Sequence, residues 1–335
     1  MKMKYPLNTG VFKIKNGLFY LSSILITLGL NGASAQNWPV KPVRIVVPFP
    51  AGGAVDTVTR NLGQQISESL KQPFLIENKP GAGAIIGADT VAKSNPDGYT
   101  LLLTTHGLAI APSLYKKLPF DAKKDFTAVT QIMSSYLVLA VGTTIGVNNF
   151  SDFLNAARVK PNSLNYGSTG LGSAPHLVME LLKQSANLEL THIPYKGDAP
   201  MNQALLSGYV GAAVSPLSGV INPMHAGKLK IIAMTGTKRS EAIPDVPTIS
   251  ESGVPNFEHT GWLGLFAPAG TQLLIARKIQ AEFTRVLNSP EIKGKLPNWG
   301  YEAVGSTPEN FSVKYQQDLL SYAKAIKDAH IELQD

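Results

Sequence analysis

Apolar and polar positions alternate along this chain in short runs and helical stripes. Val43 to Val47 is the first apolar run; it is stopped by Pro48 and Pro50 and reads as a buried strand. Val58, Leu62, Ile66 and Leu70 follow at i, i+4 spacing, which predicts one buried face of a helix that Asp56 is placed to cap. Phe74 to Ile76 is a second strand, Ile85 to Lys93 a second helix, and Tyr99 to Thr104 a third strand. Strand–helix–strand–helix–strand predicts an α/β fold with a parallel sheet and crossover helices.

The same alternation then begins again. Leu137 to Val141 is a strand set between Ser134-Ser135 and Gly142-Thr143-Thr144, and it is expected to carry the chain into a second domain. Ser151 is expected to cap a helix carrying Phe153, Leu154 and Ala157, and Leu164 to Tyr166 predicts a strand. Leu177, Met179, Leu181 and Leu182 mark the next helix. Further strands are expected at Leu190–Pro194, Val210–Val214 and Lys230–Thr235, with Gly261–Ala267 crossing back. Two helices close the chain, marked by Ile275, Ile279, Phe283 and Val286 and by Phe311, Tyr315, Leu319, Tyr322 and Ile326. No repeat is visible residue by residue; the repetition is of architecture, two lobes with a glycine loop at a helix start in each.

Those loops carry the candidate chemistry. The first contains Phe49, Ala51, Gly52, Gly53 and Asp56. Glycines between a strand and a helix let a ligand approach the backbone, and the free N–H groups of the first helical turn favour an anion. The second contains Ser168, Thr169, Gly170, Gly172, Ser173 and His176, where the hydroxyls add donors without formal charge and Pro175 suits the first turn of the helix. Thr105 and His106 follow the third strand at the sheet edge where open α/β folds bind ligands, although His106 could equally tie down its loop. Tyr195 to Asp198 leads into another helix, and Ser215 ends the Val210–Val214 strand. Asp56 and Asp198 each follow a glycine loop, so either caps a helix or meets a ligand donor such as an ammonium or hydroxyl.

Composition narrows the options. A length of 335 residues is more than one core usually organises. Residues 1–35 read as a secretory signal peptide: Lys2, Lys4, Lys13 and Lys15, then an apolar stretch from Leu18 to Leu30, then Ala33-Ser34-Ala35, with cleavage before Gln36. Cleavage removes four lysines and lowers the formal charge from +7 to +3. No Lys/Arg block with interleaved aromatics argues for nucleic acid. The absence of cysteine rules out disulfides, thiolate metal sites and a cysteine nucleophile. Gly81, Gly83 and Gly87 miss the dinucleotide spacing by one place, no phosphate-binding P-loop is present, and Ser168 lies outside a G-x-S-x-G elbow. The six histidines show no i, i+3 or i, i+4 pair, so neither a metal nor a cofactor is expected.

Several motifs together resemble the Bug proteins, the extracytoplasmic solute receptors of the tripartite tricarboxylate transporter family. They are Val46 to Gly53 with Asp56, Glu77-Asn78-Lys79-Pro80-Gly81-Ala82-Gly83, Pro96 to Leu101, Leu164 to Ser168, Ile193 to Gly197 and Gly264 to Thr271. The resemblance runs in matching order over nearly all of the chain after residue 35. It implies a type 2 periplasmic binding protein with two Rossmann-like lobes joined by two crossing strands: lobe 1 at 36–138 and 265–335, lobe 2 at 139–264. It implies a periplasmic receptor, a monomer and no enzyme, that closes on a small organic carboxylate and delivers it to integral-membrane permease subunits. A ligand-sensing receptor for a two-component system is the alternative. Carried over, the ligand-binding set is Phe49, Ala51, Gly52, Gly53 and Asp56 opposite Ser168, Thr169, Gly170, Gly172, Ser173 and His176, with the Tyr195–Asp198 loop beside them. Asp198 departs from the glycine found there in relatives, so specificity does not carry over.

Overall fold

A computed structural model describes residues 1, 3, 38–135, 137–160 and 163–335. The leader expected over 1–35, apart from its first and third residues, lies outside the described residues. No helix among the described residues is long and apolar enough to cross a membrane.

In chain order the strands are β1 (Val43–Val47), β2 (Phe74–Asn78), β3 (Thr100–Thr105), β4 (Phe126–Ser135), β5 (Leu137–Gly142), β6 (Asn165–Ser168), β7 (Thr191–Pro194), β8 (Ala212–Pro216), β9 (Leu229–Met234), β10 (Gly261–Pro268) and β11 (Tyr301–Ala303). The helices are α1 (Ala54–Leu70), α2 (Ile85–Ala92), α3 (Gly107–Leu114), α4 (Phe150–Val159), α5 (Ala174–Ala186), α6 (Asp198–Ser207), α7 (Leu217–His225), α8 (Leu273–Leu287), α9 (Pro290–Trp299) and α10 (Pro308–Asp328).

Two mixed sheets organise two lobes. One has the order β11-β4-β10-β3-β1-β2, the other β7-β6-β8-β5-β9. β1 pairs in parallel with both β2 and β3, as the first alternation predicts. β10 is antiparallel to β3 and β4, and β5 is antiparallel to β8 and β9. Each sheet therefore contains a strand that returns from the other lobe.

The crossings differ from expectation in place and kind. β5 pairs with the five-stranded sheet from Leu137 onward, and β10 pairs with the six-stranded sheet from Gly261 onward. Boundaries at 138/139 and 264/265 would cut both strands, whereas hydrogen bonding keeps each strand with one sheet. The return crossing is therefore the short stretch between Phe257, which still packs in a lobe 2 core with Ile249 and Val254, and Gly261, not β10 itself. It is fastened where Thr235 donates through N–H to Leu137 O at 3.1 Å and through Oγ1 to His259 O at 2.6 Å.

β5 shows why the second lobe folds. Its alternate residues feed two cores: Leu137, Leu139 and Val141 pack with Phe150, Phe153, Tyr166 and Met179, while Val138 and Ala140 pack with Met201, Leu205, Val210 and Leu217. A strand buried on both faces must be apolar throughout. The lobe 1 core joins Val46 and Leu102 to Trp262, Phe266, Phe311 and Tyr322, and it also takes in Leu177 from α5. In α1, Val58, Leu62 and Ile66 are buried as their spacing predicts. Two caps were misassigned. Asn149, not Ser151, caps α4, its side chain accepting from Asp152 N–H at 2.8 Å. Gly53 is the N-cap of α1, and Asp56 lies inside the helix.

Candidate ligand cleft

A cleft of about 690 Å³ opens between the lobes, a volume suited to a small ligand. Lobe 1 contributes Phe49 between its two prolines, Thr105, His106, Trp262 and the Trp299–Tyr301 stretch; lobe 2 contributes Thr169 to Pro175, Asp198 and Ser218. Among the described residues no Lys or Arg lines it, and Asp198 is the one Asp or Glu that does.

The first loop is held from behind. The Asp56 side chain is 2% exposed. It accepts from Gly52 N–H at 2.8 Å, Arg60 Nε at 2.9 Å and Asn78 Nδ2 at 2.8 Å. Asn78 Nδ2 also donates to Phe49 O at 3.1 Å, so one amide ties both ends of the turn. Burial alone would raise the Asp56 carboxyl, but the bonds from Arg60, Gly52 and Asn78 outweigh it and hold the group below its ordinary value. This network ties the turn that carries the glycine tip. Phe49 lines the cavity, whereas Ala51, Gly52 and Gly53 are exposed outside it and Asp56 lies behind it.

The second loop presents its backbone. Ser168 Oγ accepts from Gly170 N–H at 3.2 Å and lies 2.7 Å from His192 Nε2. His176 Nδ1 accepts from Gly172 N–H at 3.0 Å, which places the proton of the neutral ring on Nε2. The two imidazoles stack with centroids 3.8 Å apart and planes 9° apart. Burial first, then the charges of His192 and Lys183, push His176 down to about 3, and burial also lowers His192. Beneath the stack, Glu180 accepts from Tyr166 OH at 2.5 Å and from Lys183 Nζ at 2.7 Å. Ser168 and His176 therefore brace the loop from below, while Thr169, Gly170, Gly172 and Ser173 face the cleft. Ser173, the N-cap residue of α5, has a buried hydroxyl with no hydrogen-bond partner in the structure. An unpaired buried hydroxyl costs about 1–3 kcal/mol, so it marks a place where a ligand acceptor is expected.

His106 closes the floor. Its Nδ1 accepts from Trp262 N–H at 3.3 Å, and its ring meets Trp262, Tyr322 and His259 at centroid distances of 6.1, 6.3 and 6.5 Å. Burial pushes His106 down to about 4 and His259 to about 3, so both rings are neutral at physiological pH. Trp262 Nε1 donates to Asp318 at 2.7 Å, and Tyr322 OH lies 2.9 Å from His259 Nε2. His106 lines the cavity and ties its loop to the start of β10.

Of the remaining predicted residues, Thr105 and Asp198 line the cleft; Tyr195 and Ser215 do not. Ser215 is fully buried and donates to Asn202 Oδ1 at 3.3 Å. Sequence reasoning missed Trp299, Gly300 and Tyr301, because α9 and β11 were not read as elements. It also missed Gln334, whose Nε2 donates to Leu171 O at 3.1 Å across the lobe boundary. Its backbone is fastened to lobe 1 by a bridge with Tyr115. Among the described residues no group of three His, Asp or Glu is placed to hold a metal ion.

Residues 58–330 match the model of the tripartite tricarboxylate transporter family receptor. The chain is 33% identical over 310 residues to the protein of the tcbD-tcbE intergenic region in Pseudomonas sp. (strain P51), covering 91% of this chain and 92% of that one. Among solved structures it is similar to R. palustris Rpa4515 with adipate, at 34% identity and a TM-score of 0.75, covering 89% of this chain and 100% of that chain. It is likewise similar to MatC from Rhodopseudomonas palustris with bound malate, at 30% identity and a TM-score of 0.71, covering 86% of this chain and 100% of that chain.

Proposed function

The chain belongs to the receptor family of the tripartite tricarboxylate transporters, a family of solute-binding proteins rather than enzymes, and from that premise we propose that it captures a small organic carboxylate between its lobes in the periplasm and delivers it to the integral-membrane permease subunits of such a transporter. The observation that carries the carboxylate is Ser173 at the start of α5, which lines a cleft with no Lys or Arg among its described residues and whose buried hydroxyl has no partner. A carboxylate there accepts from hydroxyl and amide donors at a helix N-terminus, where the aligned peptide dipoles favour negative charge. Contact between the lobes around the ligand excludes water and strengthens each of those bonds. The two relatives with adipate and with malate support the class, not the identity, of the ligand.

The reading is tested by a thermal-shift screen across mono-, di- and tricarboxylates, followed by calorimetry on the best ligand with wild type and Ser173→Ala. Bound ligand raises apparent stability by mass action, and Ser173→Ala is expected to weaken binding by about tenfold. No stabilisation by any carboxylate would sink the ligand class. Unchanged uptake of the identified ligand in cells lacking the protein would sink the transport role.

A further inference from the structure

Asp198 stands apart in the cleft wall. It is the first residue of α6, after Gly197 at φ +103°, and it lines the cavity beside Ser218 and the Trp299–Tyr301 stretch. Every other acid discussed above has partners: Asp56 has three donors, Glu180 has Tyr166 and Lys183, and Asp318 has Trp262 and Lys314. Asp198 is exposed as a residue, and the partial desolvation its carboxyl meets on the cleft wall raises it from its ordinary value, with no hydrogen bond or cation among the described residues acting to lower it. Tyr301 lines the same cavity, and burial first and the Asp198 charge second push its hydroxyl up to about 12. Among the described residues no Lys or Arg lines the cleft to offset the acid.

The proposed anion-binding donors are those of the second glycine loop and the start of α5, and Asp198 adjoins that loop, since Gly197 N–H donates to Thr169 O at 3.2 Å. The described lining of the cleft thus sets one acid beside a group of neutral donors. An α,ω-dicarboxylate seated on those donors would bring its far carboxylate toward Asp198, where like charges repel. A ligand with a cation there would instead form a charge-assisted hydrogen bond in a partly desolvated site that Trp299 and Tyr301 also line.

We infer that Asp198 sets specificity by pairing with a cationic donor that the ligand carries in addition to its carboxylate, so that the preferred ligand is an amino- or guanidino-carboxylate rather than a dicarboxylate. This inference rests on the carboxylate reading above and adds the second functional group. It requires Asp198 as a recognition residue and no new element of the fold.

The test is calorimetric titration at pH 7.5 with three matched series: straight-chain ω-amino carboxylates from three to six carbons, the α,ω-dicarboxylates of equal chain length, and the plain monocarboxylates. Wild type, Asp198→Asn and Asp198→Gly are compared, with thermal unfolding confirming that each variant is folded. Wild type is expected to bind its best ω-amino carboxylate about tenfold or more tighter than the matched dicarboxylate and monocarboxylate. Both variants are expected to lose that preference, and Asp198→Gly to gain dicarboxylate affinity, while monocarboxylate binding changes by less than about threefold. A dicarboxylate that binds wild type as tightly as the amino compound, or a preference that survives in Asp198→Asn, overturns the inference and leaves the carboxylate reading standing. Failure of all three series to bind wild type overturns the inference, and the carboxylate reading is then decided by the wider screen.

Discussion

Asp56→Asn tests whether the first loop is positioned from behind. The substitution keeps shape but removes the charge, and it faces an amide NH₂ toward donors where a carboxylate accepted three hydrogen bonds at 2.8, 2.9 and 2.8 Å. At least one donor among Gly52 N–H, Arg60 Nε and Asn78 Nδ2 is left without an acceptor. Leaving a buried donor unpaired costs about 1–3 kcal/mol, and removing one partner of a buried ion pair about 3–5 kcal/mol. Arg60 is half exposed at 49%, so water recovers part of its loss, and the lower end, about 3 kcal/mol, is expected. For a chain of this size that lowers the unfolding midpoint by about 6 °C. Because Phe49 O shares Asn78 with the carboxylate, ligand affinity should fall as well. Differential scanning calorimetry gives the first quantity and titration with the ligand from the screen gives the second, with Arg60→Ala as a milder comparison. A variant within about 1 kcal/mol of wild type, with unchanged affinity, would refute the idea that this network fixes the loop.

Acid should destabilise the protein before its carboxylates titrate. His106, His176 and His259 are neutral when folded, with values of about 4, 3 and 3, whereas the unfolded chain takes up their protons near pH 6.5. Their contribution is therefore complete above about pH 6.5 and is lost as pH falls toward the folded values, at about 1.4 kcal/mol per histidine per pH unit. A midpoint that stays flat in circular dichroism melts between pH 7 and 5 would contradict this. Gly172→Ala should hold the lobes apart, because its φ is +71° and an added Cβ would lie 2.2 Å from Leu114 Cδ1 on the facing lobe. Small-angle scattering should show a more extended particle in the variant with ligand, and an identical profile would count against the contact. Gln334→Ala removes one exposed bond between lobes, so the melting point should hardly move while stopped-flow release of ligand quickens; an unchanged release rate would show that the contact is idle.

How much of this was legible in the sequence depends on how local each feature is. Alternating stripes such as Val58-Leu62-Ile66 and the doubly buried run at Leu137 to Val141 are written in neighbouring residues, and they placed the strands and helices well. The crossings were harder, since Gly261 to Ala267 looks like any buried strand and only its partners reveal which lobe it serves. At the site, the glycine loops were visible as strand–glycine–helix transitions. The division of labour within them was not, because a carboxylate that faces a ligand and one that braces a turn from behind look the same in one dimension. Asp56 and Ser168 turned out to brace. Trp299 to Tyr301 and Gln334 escaped notice because they reach the cleft through long-range packing that no periodicity encodes.

The Gln334–Leu171 contact has a practical consequence for anyone handling the protein. A fluorophore, an affinity handle or a display fusion joined after Asp335 would hang at the mouth of the cleft, beside the strand-like bridge to Tyr115 and within reach of the glycine loop of the facing lobe. Its bulk would weigh on opening and closing and be mistaken for a property of the ligand. Biosensor designs should place the reporter on an exposed position of α8, such as Leu273 or Leu274, and leave the final residues untouched.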